Sequence, residues 1–324
     1  MTDLPDTPFT TSDLDDLVLS RGQLRRLIDQ RVVRRVLQTV YVRADIEDTQ
    51  TLRARCAALA VPPHHVVADR SAAWIHGVEC FDYSELALVP RLEMVAIGGH
   101  DRTERPEVFG GKRDLTPADI CEIAGVLVTT PLRTACDLGC LLSRNQALGV
   151  LDAFRRLHGL EEADFARILP RYVRRRGVIQ LRELVAYSSP LPESQPESWT
   201  RGVIIDEQFP APQPQVWVFV EDIGWVRLDM AYEHLKIAVE YDGEEFHREP
   251  EDREADRRRR AALRAAGWIV IVVRKDGFSG PAREAWLGEL LDALRERTPA
   301  VPSKRRYSRG DSSAAYPRRR RSWR

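Results

Sequence analysis

The sequence predicts an α/β chain, α+β overall. Three observations carry that expectation. Helix-like and strand-like patterns alternate along the chain as far as about residue 297 of 324. A Ser- and Pro-rich stretch at 188–196 interrupts them and reads as a linker. Beyond it the segments follow in the order α-β-β-β-α-β-α. Two or three domains suit this length, and 43% hydrophobic residues are enough to build their cores.

Residues 1–48 read as a small winged helix-turn-helix unit. Phe9 to Leu14 is expected to open a short helix capped by Thr11 or Ser12. Ser20 and Gln23 have capping-box spacing, so a second helix starts there. Leu24, Leu27 and Ile28 give that helix an apolar face, with Arg21, Arg25, Arg26 and Arg31 mostly on the other side. Val32–Val42 is β-branched and alternating, which suits a hairpin wing carrying Arg34 and Arg35. An arginine-faced helix followed by a basic hairpin suits a DNA-groove reader. The alternative is a small α/β module with solvated arginines.

Residues 49–187 read as a mixed α/β middle region. Thr51–Ala60 is helical, and Ser71–Gly77 is a helix end with a glycine stop. Segments 85–98 and 123–130 read as strands. Pro131 begins a helix from its first turn, and further helices are expected near 143–157, 161–169 and 178–187. Trp74 and His76 are expected to pack at a helix terminus. Gly110-Gly111-Lys112 lacks the rest of a phosphate-cradling loop.

The third unit, 197–298, opens with a helix at Glu197–Glu207. Strands are expected at Gln213–Val220, Gly224–Ala231 and Leu235–Asp242, then a charged helix at Glu249–Ala266. An apolar strand, Trp268–Val273, and a helix, Ala282–Arg297, complete it. Antiparallel pairing around a turn near Tyr232–Leu235 sets Asp229 beside Glu240. Asp242 shares the face of Glu240, and Glu197 could supply a further oxygen. Clustered carboxylates repel one another, which raises a pKa or recruits a cation. Two or three of them with water suit Mg²⁺, and such a metal suits phosphodiester cleavage. His247 is placed to act as acid or base. Arg253, Arg257, Arg258, Arg259, Arg260 and Arg264 on the charged helix, and Arg274 after the core strand, could grip phosphate. Their acidic neighbours Glu249, Glu251, Asp252, Glu254 and Asp256 offer the alternative of ordinary i,i+4 pairs on a solvated helix.

Two resemblances follow from these residues. Asp229, then Glu240-Tyr-Asp242-Gly243, His247, the basic helix and Gly267-Trp268 before an apolar strand resemble the PD-(D/E)XK nuclease superfamily, in particular its Vsr-like endonuclease branch. That resemblance covers about 193–297 and implies a restriction-endonuclease-like sheet flanked by helices. It implies Mg²⁺- or Mn²⁺-dependent hydrolysis of DNA, with Asp229 and Glu240 as metal ligands. By the same resemblance Asp242 is a third acidic site residue, His247 an auxiliary acid/base and Glu197 the acid on the leading helix. The superfamily's lysine is replaced by Asp242, which cannot steady a hydroxide as a cation would.

The first 185 residues resemble AbiEi-type antitoxin regulators, through Phe9-Thr, Ser20 to Ile28, Val40-Tyr-Val42, Ser71 to Gly77, and Thr129 to Asp137. This resemblance implies winged-helix operator binding and repression, with DNA and either a toxin or a second copy as partners. Two functions are therefore expected: a DNA endonuclease in phage defence or DNA repair, or an antitoxin-like regulator whose nuclease fold serves DNA binding. An RNA nuclease is a third.

Charge and cysteine content bound these readings. Lys plus Arg equals Asp plus Glu at 49 each, but 303–324 carries nine Lys/Arg against Asp311 alone. The segment 299–324 is expected to be a disordered basic tail, either with affinity for polyanions such as nucleic acid or simply solubilising. Cys56, Cys80, Cys121, Cys136 and Cys140 form no CxxC pattern, and Cys136 and Cys140 read as core residues. Met1–Asp16 is not a secretory signal, and no apolar run reaches the roughly 18 residues of a membrane span. A cytoplasmic chain without membrane contact is the expectation.

Overall fold

A computed structural model describes residues 4–80, 91–101, 108–243 and 250–298. These residues form helices and three sheets, α+β overall. The N-terminal sheet joins β1 (Phe9–Thr10), β2 (Val33–Leu37) and β3 (Val40–Arg43) in the order β1-β3-β2. Helix α1 (Arg21–Asp29) lies between β1 and β2 in the chain. Its capping box forms: Ser20 Oγ accepts the Gln23 N–H at 3.2 Å, and Gln23 Oε1 accepts the Ser20 N–H at 2.8 Å. Leu24 packs with Phe9, Leu14, Leu19, Val33 and Tyr41. The helix expected at Phe9–Leu14 is absent. Thr10 instead donates its N–H and hydroxyl to Asp13 Oδ2 at 2.6 and 2.9 Å, and turns fill 11–18. Short polar side chains that bond nearby backbone compete with a helix in this way.

The middle sheet has the order β6-β5-β4-β8-β7, from β4 (His65–Val67), β5 (Leu92–Ala96), β6 (Val108–Lys112), β7 (Ile120–Ile123) and β8 (Val126–Thr129). The strand expected at 123–130 is β8, and a strand not expected, β7, precedes it across a turn at Ala124-Gly125, where both φ angles are positive. Part of the expected 85–98 strand, 85–90, falls outside the described residues. Helices α2 (Gln50–Ala60) and α3 (Asp69–Ile75) share a core with β3, β4 and β8. A second core, around Phe154, Phe165, Tyr172 and Leu181, is built by α4 (Pro131–Leu141), α5 (Arg144–His158), α6 (Glu162–Ile168) and α7 (Val178–Tyr187). Among the described residues no disulfide joins the five cysteines, Cys136 and Cys140 are buried as expected, and burial pushes the Cys56 thiol up to about 12.

The C-terminal order is as expected: α8 (Gln195–Asp206), β9 (Gln213–Val220), β10 (Gly224–Tyr232), β11 (Ile237–Asp242), α9 (Pro250–Ala265), β12 (Ile269–Arg274) and α10 (Gly280–Arg297). The sheet runs β12-β11-β10-β9, antiparallel except for the β11–β12 pair. A parallel pair needs a crossover, and α9 supplies it. Val203 and Ile204 of α8 and Trp286 and Leu290 of α10 pack with Val239 and Ile271, whereas Leu263 of α9 packs with Ala238 and Val270. Successive strand residues face opposite ways, so helices cover both faces of β11 and β12. Helix α8 begins inside the stretch expected as linker, with Pro196 in its first turn. It is tied to α5 by a buried ion pair, Arg201 Nη2 to Asp152 Oδ2 at 2.6 Å.

Candidate functional site

The last registered pair between β10 and β11 toward the site is Met230 with Val239. Asp229 and Glu240 follow at the next positions, where the two strands part. Opposite Asp229 on β9, Gln215 takes a left-handed backbone (φ 53°), so the sheet is distorted on that side too. Asp229 Oδ2 accepts the Tyr241 N–H at 2.9 Å. Burial, and then the charges of Glu197 and Glu240, push the Asp229 carboxyl up to about 7. Glu197 sits in the first turn of α8, where its carboxylate accepts from the Glu193 N–H, the Ser194 hydroxyl and Gln215 Nε2 at 2.8–3.0 Å.

Glu240 and Asp242 are matched differently. Arg259 Nη2 lies 2.7 Å from Glu240 Oε1, and its Nη1 donates to Oε2 at 3.0 Å. Arg260 Nη2 donates to Asp242 Oδ2 at 2.8 Å, with its Nε 3.6 Å from Glu240. Arg259 also donates to the Arg227 carbonyl at 2.8 Å. Two α9 arginines thus clasp the acids of β11, while Arg257 and Arg258 share Glu254 along the helix. Among the described residues no group of three or more His, Cys, Asp and Glu side chains is placed to hold a metal ion. As placed, Arg259 and Arg260 occupy carboxylate oxygens of Glu240 and Asp242 that a metal ion would need. His247 and the 303–324 basic segment lie outside the described residues.

These groups open on a cleft of about 850 Å³ lined by Asp229, Glu240, Asp242, Asp256, Arg227 and Arg258–Arg260, with Trp217 and Trp225 at its wall. Sequence reasoning passed over the two tryptophans. Their signal was the alternation in Val216-Trp-Val-Phe-Val220 and in Trp225-Val-Arg-Leu228, which puts Trp217, Phe219 and Trp225 on the outward positions. Arg274 ends β12 in register with Asp242 and is exposed.

In the N-terminal unit Arg21, Arg25, Arg26 and Arg31 are exposed on and after α1. On the hairpin, Arg34 donates to the Ile46 carbonyl at 3.0 Å and Arg35 to the Gln38 carbonyl. The face of α1 is therefore open, whereas the two wing arginines bond backbone of their own surroundings.

The middle-region motifs build framework. Asp137 is fully buried and takes Tyr172 Oη at 2.6 Å, Arg113 and Arg175 at 2.8 Å, and Arg133 at 3.0 Å. Burial pushes the Asp119 carboxyl up, but bonds from Arg171 and Thr116 outweigh it and hold it at about 2. His76 is buried at the end of α3 with its Nε2 2.8 Å from the Thr129 carbonyl, and burial lowers its pKa to about 4. It packs at a helix terminus, as expected.

Residues 65–186 match the AbiEi antitoxin C-terminal domain. The match spans β4 to α7 and includes both the Ser71–Gly77 and the Thr129–Asp137 motifs. It excludes residues 1–64 and the C-terminal sheet, so the AbiEi similarity is established for the middle region alone. Two uncharacterized proteins, from two strains of Mycobacterium tuberculosis, are each 30% identical to the chain over 159 residues. That stretch is 49% of this chain and 59% of each relative. Among the described residues no helix is long and apolar enough to cross a membrane.

Proposed function

We propose that the chain is a cytoplasmic DNA-binding regulator of the AbiEi antitoxin type, partnered by a toxin or by a second copy. The match of 65–186 to the antitoxin domain carries this reading. The position of that region directly after a unit that exposes Arg21, Arg25 and Arg26 on one helix supports it. In this reading the α1 arginines contact DNA phosphates and the β2–β3 hairpin lies alongside. The test is a gel shift against duplex DNA from upstream of the chain's own gene across a salt series. Replacing Arg21, Arg25 and Arg26 together with Ala should flatten the slope of log K against log salt by about 2.7. An unchanged slope refutes the assignment.

A second reading is metal-dependent phosphodiester hydrolysis by the C-terminal sheet, favoured by one observation: Asp229 beside Glu240 at a strand parting, beneath arginines. Asp229, Glu240, Asp242 and His247 would be its site residues and Mg²⁺ or Mn²⁺ its cofactor. Nicking of plasmid DNA that needs Mg²⁺ or Mn²⁺ and is lost in Asp229→Ala and in Glu240→Ala supports it. Nicking retained in both variants removes the site.

A further inference from the structure

The β9–β10 hairpin turns two different faces outward and inward. Val216, Val218, Val220, Val226 and Leu228 are buried, whereas Trp217, Phe219 and Trp225 are 57%, 63% and 67% exposed. The register pairs Phe219 with Trp225 and Trp217 with Arg227. The Phe219 and Trp225 rings meet edge to face at 5.6 Å, and the Arg227 guanidinium lies 5.7 Å over the Trp217 ring. Aromatic side chains this exposed, carried on a valine-anchored hairpin, mark a surface with a partner.

We infer that this face is a stacking platform for the unpaired bases of a single-stranded nucleic acid. Chemistry beside the platform points there. Trp217 and Trp225 wall the same cleft as Arg227 and Arg258. Helix α9 carries six arginines against four acids over Pro250–Ala265, and Asp256–Arg260 holds four arginines against one acid. Arg257 and Arg258 share a single carboxylate, which leaves positive charge on the rim. Bases lie on the rings while their phosphates follow that rim, the combination by which single strands are held. The cleft argues against a duplex. Arg259 and Arg260 are already paired with Glu240 and Asp242, which leaves one basic rim rather than two, and a duplex keeps its base faces within its own stack. The area argues against a second copy of the chain. Three aromatics about 60% exposed offer about 300–450 Å², roughly half of the ~800 Å² per partner of a stable interface.

The inference is independent of the α1–duplex assignment, and the experiment separates the two. Full-length protein is titrated with a labelled oligothymidylate and with a duplex of equal length, by fluorescence anisotropy and tryptophan quenching. Trp217→Ala and Trp225→Ala should each weaken oligothymidylate binding about fivefold to a hundredfold, and Trp217→Phe should restore most of it. The Arg21/Arg25/Arg26 variant should keep single-strand binding while losing duplex binding. Three outcomes overturn the platform: alanine variants that bind the single strand as the wild type does, failure of the wild type to bind it, or a nucleic-acid-free dimer in sedimentation that the tryptophan variants abolish.

Discussion

Replacing Asp229 with Asn should stabilise the C-terminal sheet, and by more at higher pH. Asp229 has a carboxyl pushed from 3.8 up to about 7 by burial and by Glu197 and Glu240. Between those values the unfolded chain has lost the proton that the folded chain keeps. The folded state then binds more protons, so stability falls as pH rises through this window. At 1.36 kcal/mol per unit, a shift of about three units costs on the order of 4 kcal/mol above pH 7, of which about 1.6 is already incurred at pH 5. Asn keeps an oxygen to accept the Tyr241 N–H but has no charge to desolvate. The gap between variant and wild type should therefore widen by between about 2 and 3 kcal/mol from pH 5 to pH 8. Urea unfolding followed by tryptophan emission measures it, because Trp199, Trp217, Trp225, Trp268 and Trp286 all lie in this unit. Stability curves for the two proteins that run parallel from pH 5 to 8 would refute the reasoning.

Two further changes test the frame around the site. Arg201→Met leaves Asp152 fully buried without its cation and should cost about 3–5 kcal/mol, read as a lowered melting temperature, with Asp152→Asn in the same chain recovering most of the loss. Gly177→Ala places a Cβ 2.1 Å from the Cys140 carbonyl at a backbone φ of +83°; α7 should lose its seat on α4, seen as faster hydrogen exchange across Val178–Tyr187.

What the sequence revealed depended on how local the cause was. The α1 start was legible because the capping box is a four-residue device, Ser20 to Gln23, and the C-terminal order because each element repeats its own period. The absent helix at Phe9–Leu14 and the β7–β8 turn were missed for related reasons. Thr10 and Asp13 bond each other in a way that composition does not announce, and Ala124 takes a positive φ that only Gly125 signals. At the site, the adjacency of Asp229 and Glu240 came from simple antiparallel counting. The role of the arginines did not. Arg257 and Arg258 make the i,i+3 and i,i+4 pairs that a helical pattern foretells, while Arg259 and Arg260, next in line, reach across to β11. Which pair does which depends on how α9 crosses the sheet, a tertiary fact.

The acids of the fold are not treated alike. The fold buries aspartates repeatedly and compensates them. Asp119 and Asp137 receive arginines together with Thr or Tyr hydroxyls, and Asp152 receives Arg201 and the Ser189 N–H. Asp229 is the exception among the described residues. Its hydrogen bond is a single backbone N–H, its nearest charged neighbours include two carboxylates, and the arginines within reach are spent on Glu240 and Asp242. A fold that has a working solution for a buried acid and withholds it at one position is carrying an electrostatic cost there, which proteins do mainly at functional sites. The position lies on the wall of a cleft edged by arginines and tryptophans. Asn at 229 should remove that cost, so a variant that gains stability and loses nucleic-acid binding or nicking would tie Asp229 to the cleft, whereas one that gains stability and keeps both would leave it a feature of the fold.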